Sequence, residues 1–312
     1  MSRPHASIVI PTRNAGTPLD VLLAAVHDQE GDFTCDIVAV DSGSTDGTLD
    51  RLRKAGATVL EVAPGTFNHG STRNLALAQC AGDFAILLVQ DAVPTSRRWL
   101  AALITPLLRD PLVAGTFARQ VPCASASRVT AHYLAQWVAA QPEPRTAGPL
   151  TREAFERLSP RERLATCAFD NVCSCVRLSV WREHPFAPAA IAEDLEWARD
   201  VLLAGHQLTY VPDAVVQHSH ERSVTYELQR AYLVHQRLEA LFGLATVPTM
   251  TSLLRAVAVT VPANARLAAY EPHRRTRAML RAAALGLAQP LGQYLGARSA
   301  RDGREFLHPR GI

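Results

Sequence analysis

Three aspartates that end or follow apolar runs are the residues of this chain best suited to chemistry. Asp91 comes just after Phe84-Ala-Ile-Leu-Leu-Val89, a continuous apolar run of the kind that forms a strand buried on both faces of a parallel sheet. It stands past the carboxyl end of a central strand, where open α/β sheets bind their ligands, unless it simply caps the next helix. Asp41 ends a second run, Cys35-Asp-Ile-Val-Ala-Val-Asp41, and leads into Ser42-Gly-Ser-Thr-Asp-Gly47, a turn rich enough in small residues for backbone amides to approach a ligand. An acid at that first place can accept hydrogen bonds from a base or ribose, and one at the later place can hold a divalent cation beside a diphosphate. Together they describe a nucleotide site. The third, Asp194, lies in a helical stretch, Ala192 to Ala204. At helical spacing Glu193, Glu196 and Asp200 form an acidic stripe expected to face solvent, whereas Asp194 shares its side with Trp197, Ala198 and Val201. A carboxylate on an apolar flank is either paired or functional. Unperturbed, with a pKa of about 3.9, it is ionised at neutral pH and able to take a proton.

The elements that must position these acids alternate. Ala6 to Pro11 reads as a strand, Pro18 to about Gln29 as an amphipathic helix, Cys35 to Asp41 as a strand, and the segment through Leu49, Leu52 and Ala55 as a helix. Ala57 to Val62 is a third strand, Phe67-Asn-His-Gly-Ser-Thr-Arg-Asn74 opens a helix to about Cys80, and the Phe84 run is the fourth strand. Short joins between alternating strands and helices predict a doubly wound α/β unit over the first 120 residues. No Gly-x-Gly-x-x-Gly follows the first strand, which counts against a dinucleotide-binding domain. Further on, the pattern predicts a helix over 128–140, a Pro-rich break over 141–149, a helical piece through Leu164, a return to the sheet within 167–178, and a strand over 206–212. Val216, His218 and His220 then alternate onto one face.

Composition bounds the rest. With 312 residues, 48% of them apolar and 20% charged, the chain can bury a substantial core. A formal charge of +3 is too small to argue for nucleic acid. Charge is uneven, however: after Tyr226 there are twelve arginines and five acids. That basic helical tail reads either as a solvated face or as a surface for an anionic membrane. The six cysteines, at 35, 80, 123, 167, 173 and 175, form no regular framework, so a reducing compartment is expected. The residues before Ile8 lack the pattern of a signal peptide. Pro248, Arg255, Pro262 and Arg266 interrupt the apolar segment 244–269, which argues against a spanning helix.

Taken together, Ile10-Pro-Thr-Arg-Asn14, Val40-Asp-Ser-Gly-Ser-Thr-Asp-Gly47, Gly70-Ser-Thr-Arg-Asn74, Gln90-Asp-Ala92, Ala192-Glu-Asp-Leu-Glu-Trp197 and His218-Ser-His220 resemble the family 2 glycosyltransferases of the GT-A fold. Within them the chain is most similar to bacterial rhamnosyltransferases, in which the Phe-x-His-Gly and Gln-Asp-Ala versions recur. The resemblance implies an α/β, doubly wound mixed sheet flanked by helices, with a GT-A domain over 1–235 and a helical C-terminal extension over 236–312. Residues 1–120 would be its nucleotide-binding half and 121–235 its acceptor and catalytic half. It implies an inverting hexosyl transfer, of L-rhamnose from dTDP-L-rhamnose, to a cell-surface glycan or lipid-linked acceptor in the cytoplasm, with peripheral contact at the inner face of the membrane left open.

The roles it implies fall on particular residues. Pro11, Thr12, Arg13 and Asn14 form the loop against the nucleotide, Asp41 contacts the base, and Gly43 and Gln90 belong to the donor site. His69 and Arg73 meet the diphosphate. Asp91 matches the last acid of the Asp-x-Asp signature that ligates Mg²⁺ or Mn²⁺; Val89 stands where its first acid is usual. His218 supplies a second metal ligand or is a histidine bonded within a strand. Asp194 is the general base, with Glu193, Asn171, Trp197 and His220 on the acceptor side. A nucleotidyltransferase would want a glycine-rich, lysine-bearing loop after strand one, which Thr12-Arg-Asn-Ala-Gly16 does not offer. A non-catalytic sugar-nucleotide scaffold stays open because of Val89.

Overall fold

Six strands of one sheet point the same way, and their carboxyl ends gather the residues singled out above. The computed structural model describes residues 3–271 and 275–308, without the side chain of Arg275; Arg274 and Arg310 of the basic tail lie outside the described residues. The elements in order are β1 (His5–Thr12), α1 (Pro18–His27), β2 (Thr34–Asp41), α2 (Thr48–Lys54), β3 (Thr58–Glu61), α3 (His69–Leu77), β4 (Phe84–Leu88), β5 (Val93–Pro94), α4 (Trp99–Arg109) and β6 (Val113–Val121). Then come α5 (Arg128–Leu134), β7 (Arg145–Ala147), α6 (Arg152–Arg157), α7 (Pro160–Thr166), β8 (Cys173–Arg177), α8 (Leu178–Glu183), α9 (Glu193–Leu203), β9 (Gln207–Gln217), α10 (Val224–Phe242), α11 (Met250–Ala268) and α12 (Arg275–Asp302).

The chain divides into two compact units. The first takes it to Val121 and adds 137–157 and 166–218. Its sheet runs β3-β2-β1-β4-β8-β6-β9-β5, with β7 on β9. β1, β2, β3 and β4 pair in parallel, β8 is antiparallel to β4 and β6, and β9 is parallel to β6. This is a mixed sheet wound in both directions from β1, as the alternating pattern predicted. Every residue of β4 is buried, the consequence of covering both faces of a central strand. Leu19, Leu22 and Val26 of α1 and Leu100, Leu103 and Leu107 of α4 pack on this sheet in one core with Ile8, Ile10 and Ile86.

The second unit takes 122–136, 158–165 and the chain from Ser219. Its helices pack through small residues: a Cβ at Gly296 of α12 would overlap the Tyr232 carbonyl oxygen of α10, and one at Gly286 would press on the backbone of Val261 in α11. Tyr232 donates to Ser299 at 2.8 Å across the same contact.

Three expectations need correction. The helix over 128–140 ends at Leu134, because Gln136 and Trp137 lead into a short 3₁₀ turn over Val138–Ala140. The Pro-rich break holds a strand, β7, hydrogen-bonded to β9. Pro262 does not interrupt the apolar segment; it lies inside α11, where its missing N–H and ring are tolerated at a cost that tertiary contacts must offset. No helix among the described residues is long and apolar enough to cross a membrane.

Candidate active site

The ends of β1, β2 and β4 are stapled to one another by side chains that bond backbone. Asp41 is 1% exposed. Its Oδ1 accepts from the amides of Gly43 (3.0 Å) and Ser44 (2.8 Å), and its Oδ2 from the hydroxyls of Thr12 (3.0 Å) and Ser44 (2.5 Å). Asp41 therefore shapes the turn, with four hydrogen bonds accepted from its own chain. Gly43 has φ 88°, a conformation that favours glycine, and a Cβ there would strike the Pro64 ring. Asn14, also left-handed at φ 46°, donates its amide to Ser44 Oγ (2.7 Å) and accepts from the Thr45 amide (2.8 Å). Gln90 clasps Arg13 twice, accepting from its amide at 2.8 Å and donating to its carbonyl at 3.2 Å. Pro11, at the end of β1, is half-buried opposite Val40.

Beyond β4, Val89 packs against the apolar core, so no carboxylate occupies that position. Asp91 is half-buried, and its Oδ1 lies 3.6 Å from His218 Nε2. His218 follows β9 and hydrogen-bonds Val121 through its amide, at 2.9 Å. Its Nδ1 faces Gln120 Oε1 of β6 at 3.2 Å. Gln120 in turn donates to Asp170 Oδ2 (2.7 Å), which also accepts from Trp137 Nε1 (2.6 Å). Sequence reading missed Gln120, Trp137 and Asp170. A glutamine near the end of an apolar strand, and an acid just before β8, were the available signals. His220 lies past the point where the chain passes into the second unit.

The 170–172 segment abuts the end of β4, since the Val89 amide donates to the Val172 carbonyl at 3.0 Å. It meets the start of α9. The Asn171 amide donates to Asp194 Oδ2 (3.2 Å), and the Asn171 side chain donates to Glu193 Oε1 (3.1 Å). Glu193 is 3% exposed and pairs with Arg73 Nη1 at 2.6 Å. Both expectations for these residues change. Glu193 belongs to no solvated stripe, because Ala192 at φ 59° turns the first residue of α9 inward. Arg73, itself 4% exposed, spends its charge on Glu193 and donates to His69 Nδ1 at 3.1 Å instead of standing ready for a diphosphate. Arginine can only donate, so His69 is neutral there; burial, with Arg73 beside it, brings its imidazole down to about 4. Trp197 is a core residue at 2% exposure, packed at a tilt between Phe169 and Phe186 and donating from Nε1 to the His184 carbonyl (2.8 Å). Asn171, 2% exposed, is a bracket between Glu193, Asp194 and Ser174.

Protonation separates the two neighbouring acids. Burial alone would raise the Glu193 carboxyl, yet the Arg73 guanidinium and the Asn171 amide hold it below the ordinary range. Among the described residues, no cation forms a salt bridge with Asp194. Burial, with the negative charges of Glu193 and Asp170 near it, raises it well above the ordinary value, so the expectation of an unperturbed base is corrected. The two neighbouring carboxyls are thus moved in opposite senses, Glu193 toward its ionised form and Asp194 toward its protonated one.

Residues 7–155 match the family described as Glycosyl transferase family 2. The O-antigen chain rhamnosyltransferase RfbN of Salmonella typhimurium is 29% identical over 232 residues, covering 72% of this chain and 70% of that protein. WbaN of Salmonella anatum, also an O-antigen chain rhamnosyltransferase, is 28% identical over 232 residues, covering 73% and 70%. Among solved structures, the mannosyltransferase PcManGT of Pyrobaculum calidifontis, in complex with GDP-Man and Mn²⁺, has a TM-score of 0.57 at 20% identity and covers 93% of this chain and 87% of that one. Glucosyl-3-phosphoglycerate synthase of Mycobacterium tuberculosis, in complex with Mn²⁺, UDP and glucosyl-3-phosphoglycerate, gives 0.55 at 19% identity, covering 77% and 81%. The fold is that of the GT-A glycosyltransferases, and the protein is a glycosyltransferase with a family 2 domain. Within that class it is similar to the O-antigen rhamnosyltransferases.

Proposed function

We propose that the protein transfers L-rhamnose from dTDP-L-rhamnose to a growing cell-surface glycan or its lipid-linked precursor, with inversion at the anomeric carbon. The observation that carries the catalytic part is Asp194, set by the Asn171 amide at the strand edge that bears Thr12, Asp41 and Asp91. In the ionised form its carboxylate takes the proton of the acceptor hydroxyl while that oxygen bonds to the anomeric carbon. The bond from this carbon to the diphosphate oxygen breaks, and the electron pair leaves with the nucleoside diphosphate. Glu193 is locked to Arg73 and Asp170 to Trp137 and Gln120, so neither is disposed to act as a second, nucleophilic carboxylate; single displacement follows. The rhamnosyl donor is supported by the two Salmonella relatives.

The donor set at Asp91 and His218 suits a divalent cation. Asp91 Oδ1 and His218 Nε2, 3.6 Å apart, are one carboxylate oxygen and one imidazole nitrogen that would together hold Mg²⁺ or Mn²⁺, ions that few protein ligands suffice to keep beside phosphate oxygens. When bound, the cation would neutralise charge developing on the diphosphate. Mn²⁺ in the two solved relatives supports this. The division into a nucleotide-binding half over 1–120, an acceptor half over 121–235 and a helical extension belongs to the same proposal. A thermal-shift series over nucleotide sugars tests the donor: dTDP-rhamnose raises the melting temperature in a Mn²⁺-dependent way, and a metal-dependent shift with another sugar nucleotide alone overturns it.

The helical extension is assigned to an anionic membrane surface. α11 contains no acid over nineteen residues, and exposes Met250 (54%), Leu254 (65%) and Val259 (66%) among Arg255 and Arg266. Apolar side chains with arginines only are the composition of a helix lying in a headgroup layer. The full chain is expected to float with vesicles containing phosphatidylglycerol and to stay down with phosphatidylcholine alone. Leu254→Asp should abolish flotation; dimerisation in its place, seen in solution without vesicles, would identify a second copy as the occupant.

A further inference from the structure

We propose that Asp170 and Gln120 are positioning residues that set the tautomer of His218, turning its Nε2 lone pair toward Asp91 for the shared cation. This deepens, and rests on, the metal-assisted reading above. It follows from a count of donors and acceptors. The Trp137 Nε1–H and the Val172 amide can only donate, and both end on Asp170, at 2.6 Å and 2.9 Å. Asp170 is therefore the acceptor of the cluster, and Gln120 must meet it, at 2.7 Å, with its NH₂. That orients the whole planar carboxamide. With nitrogen on Asp170, oxygen faces His218 Nδ1 at 3.2 Å, and an amide oxygen can only accept.

The hydrogen of neutral His218 consequently sits on Nδ1. Nε2 carries the lone pair, and Nε2 is the atom 3.6 Å from Asp91 Oδ1. The other tautomer would set two acceptors against each other at Nδ1 and place a proton where a cation would bind. Gln120 is 4% exposed, so water offers little relief for such a mismatch. Metal-bound histidines ordinarily pass their second N–H to an oxygen, which fixes the ring and raises its basicity. Here that oxygen is an amide polarised at its far end by a carboxylate, a chain that begins at Asp170 and ends at the metal-facing nitrogen.

Long-range ¹H–¹⁵N correlation spectra of the metal-free full chain, labelled at histidine, read the tautomer directly, with His218 assigned by its loss in His218→Gln. The expected wild-type form is Nδ1–H. Asp170→Asn keeps the shape but must set its NH₂ against one of two N–H groups that can only donate, Trp137 Nε1–H or the Val172 amide, so the acceptor that fixes Gln120 is lost or displaced, its carboxamide can turn over, and Nε2–H enters the spectrum. Mn²⁺ affinity in the presence of dTDP, read from the free-ion electron paramagnetic resonance signal, should then weaken by about 10- to 100-fold. Gln120→Met, which removes the relay without adding a charge, should leave a mixture of tautomers and serves where Asp170→Asn does not fold. Nε2–H in the wild type, or an unchanged tautomer in both variants, overturns the proposal. Nδ1–H in a wild type that binds no Mn²⁺ overturns instead the metal reading and leaves the tautomer device standing.

Discussion

Asp194→Asn lowers kcat by about 10²- to 10⁴-fold, the usual worth of a general base, while donor binding stays near that of the wild type. The asparagine keeps the size of the side chain and can still accept from the Asn171 amide that holds Asp194 at 3.2 Å, so the loss is chemical and not architectural. The pH profile carries a second, sharper signature. Burial and the neighbouring Glu193 raise the Asp194 pKa well above 3.8, and only the ionised form can take the acceptor proton. For the wild type, kcat/KM must therefore fall on the acidic side through an apparent pKa displaced upward from that value, and the variant must lack this limb. Isothermal calorimetry with the donor and steady-state rates from pH 4 to 9 check both statements. Unchanged kcat in Asp194→Asn would remove Asp194 from catalysis and return the protein to a binding scaffold.

The strand edge was legible because it depends on period and position alone. An apolar run such as Phe84–Leu88 must be covered on both faces, and once β1, β2 and β4 pair in parallel, Thr12, Asp41 and Asp91 fall at their carboxyl ends. What stayed hidden depended on single backbone angles and on partners distant in sequence. Helical spacing put Glu193 with Glu196 and Asp200, but spacing cannot register that Ala192 adopts φ 59° and that Arg73, 120 residues earlier, waits inside. Trp197 was hidden in the same way: the resemblance put it on the acceptor side, while its indole was needed between Phe169 and Phe186. Asp170 offered only its place just before β8, a position that by itself carries no chemistry. Its importance arises only after β6, β8 and β9 have been brought side by side with Gln120 and His218 at their ends.

Breaking the buried pair from one side, as in Glu193→Leu or Arg73→Met, is expected to cost about 3–5 kcal/mol of stability, a large share of the roughly 5–15 kcal/mol that holds an ordinary domain together. Each single variant strands an opposite charge: Arg73 keeps a guanidinium whose Nε already has no hydrogen-bond partner among the described residues, or Glu193 keeps a carboxylate held ionised by little but the Asn171 amide. Arg73→Met with Glu193→Leu removes both charges and should recover most of the loss, because desolvating an ion pair costs about as much as its attraction returns. Urea midpoints of the three variants test this, and a double variant no better than the worse single one would show the pair to be worth more than its desolvation. The pH dependence has a definite sign. Glu193, lowered in the folded state, contributes stability that is complete above its unfolded pKa of about 4.5 and is lost as pH falls through the lower folded value. Asp194, raised, contributes in the opposite sense: its share is complete below about 3.8 and is lost as pH rises toward the folded value. Removing the Glu193 charge should also bring the Asp194 pKa down, since that charge is among the causes of its rise. A conservative Glu193→Gln variant that folds should thus shift the acidic limb of kcat/KM to lower pH, coupling the structural pair to the proton-transfer group one residue away.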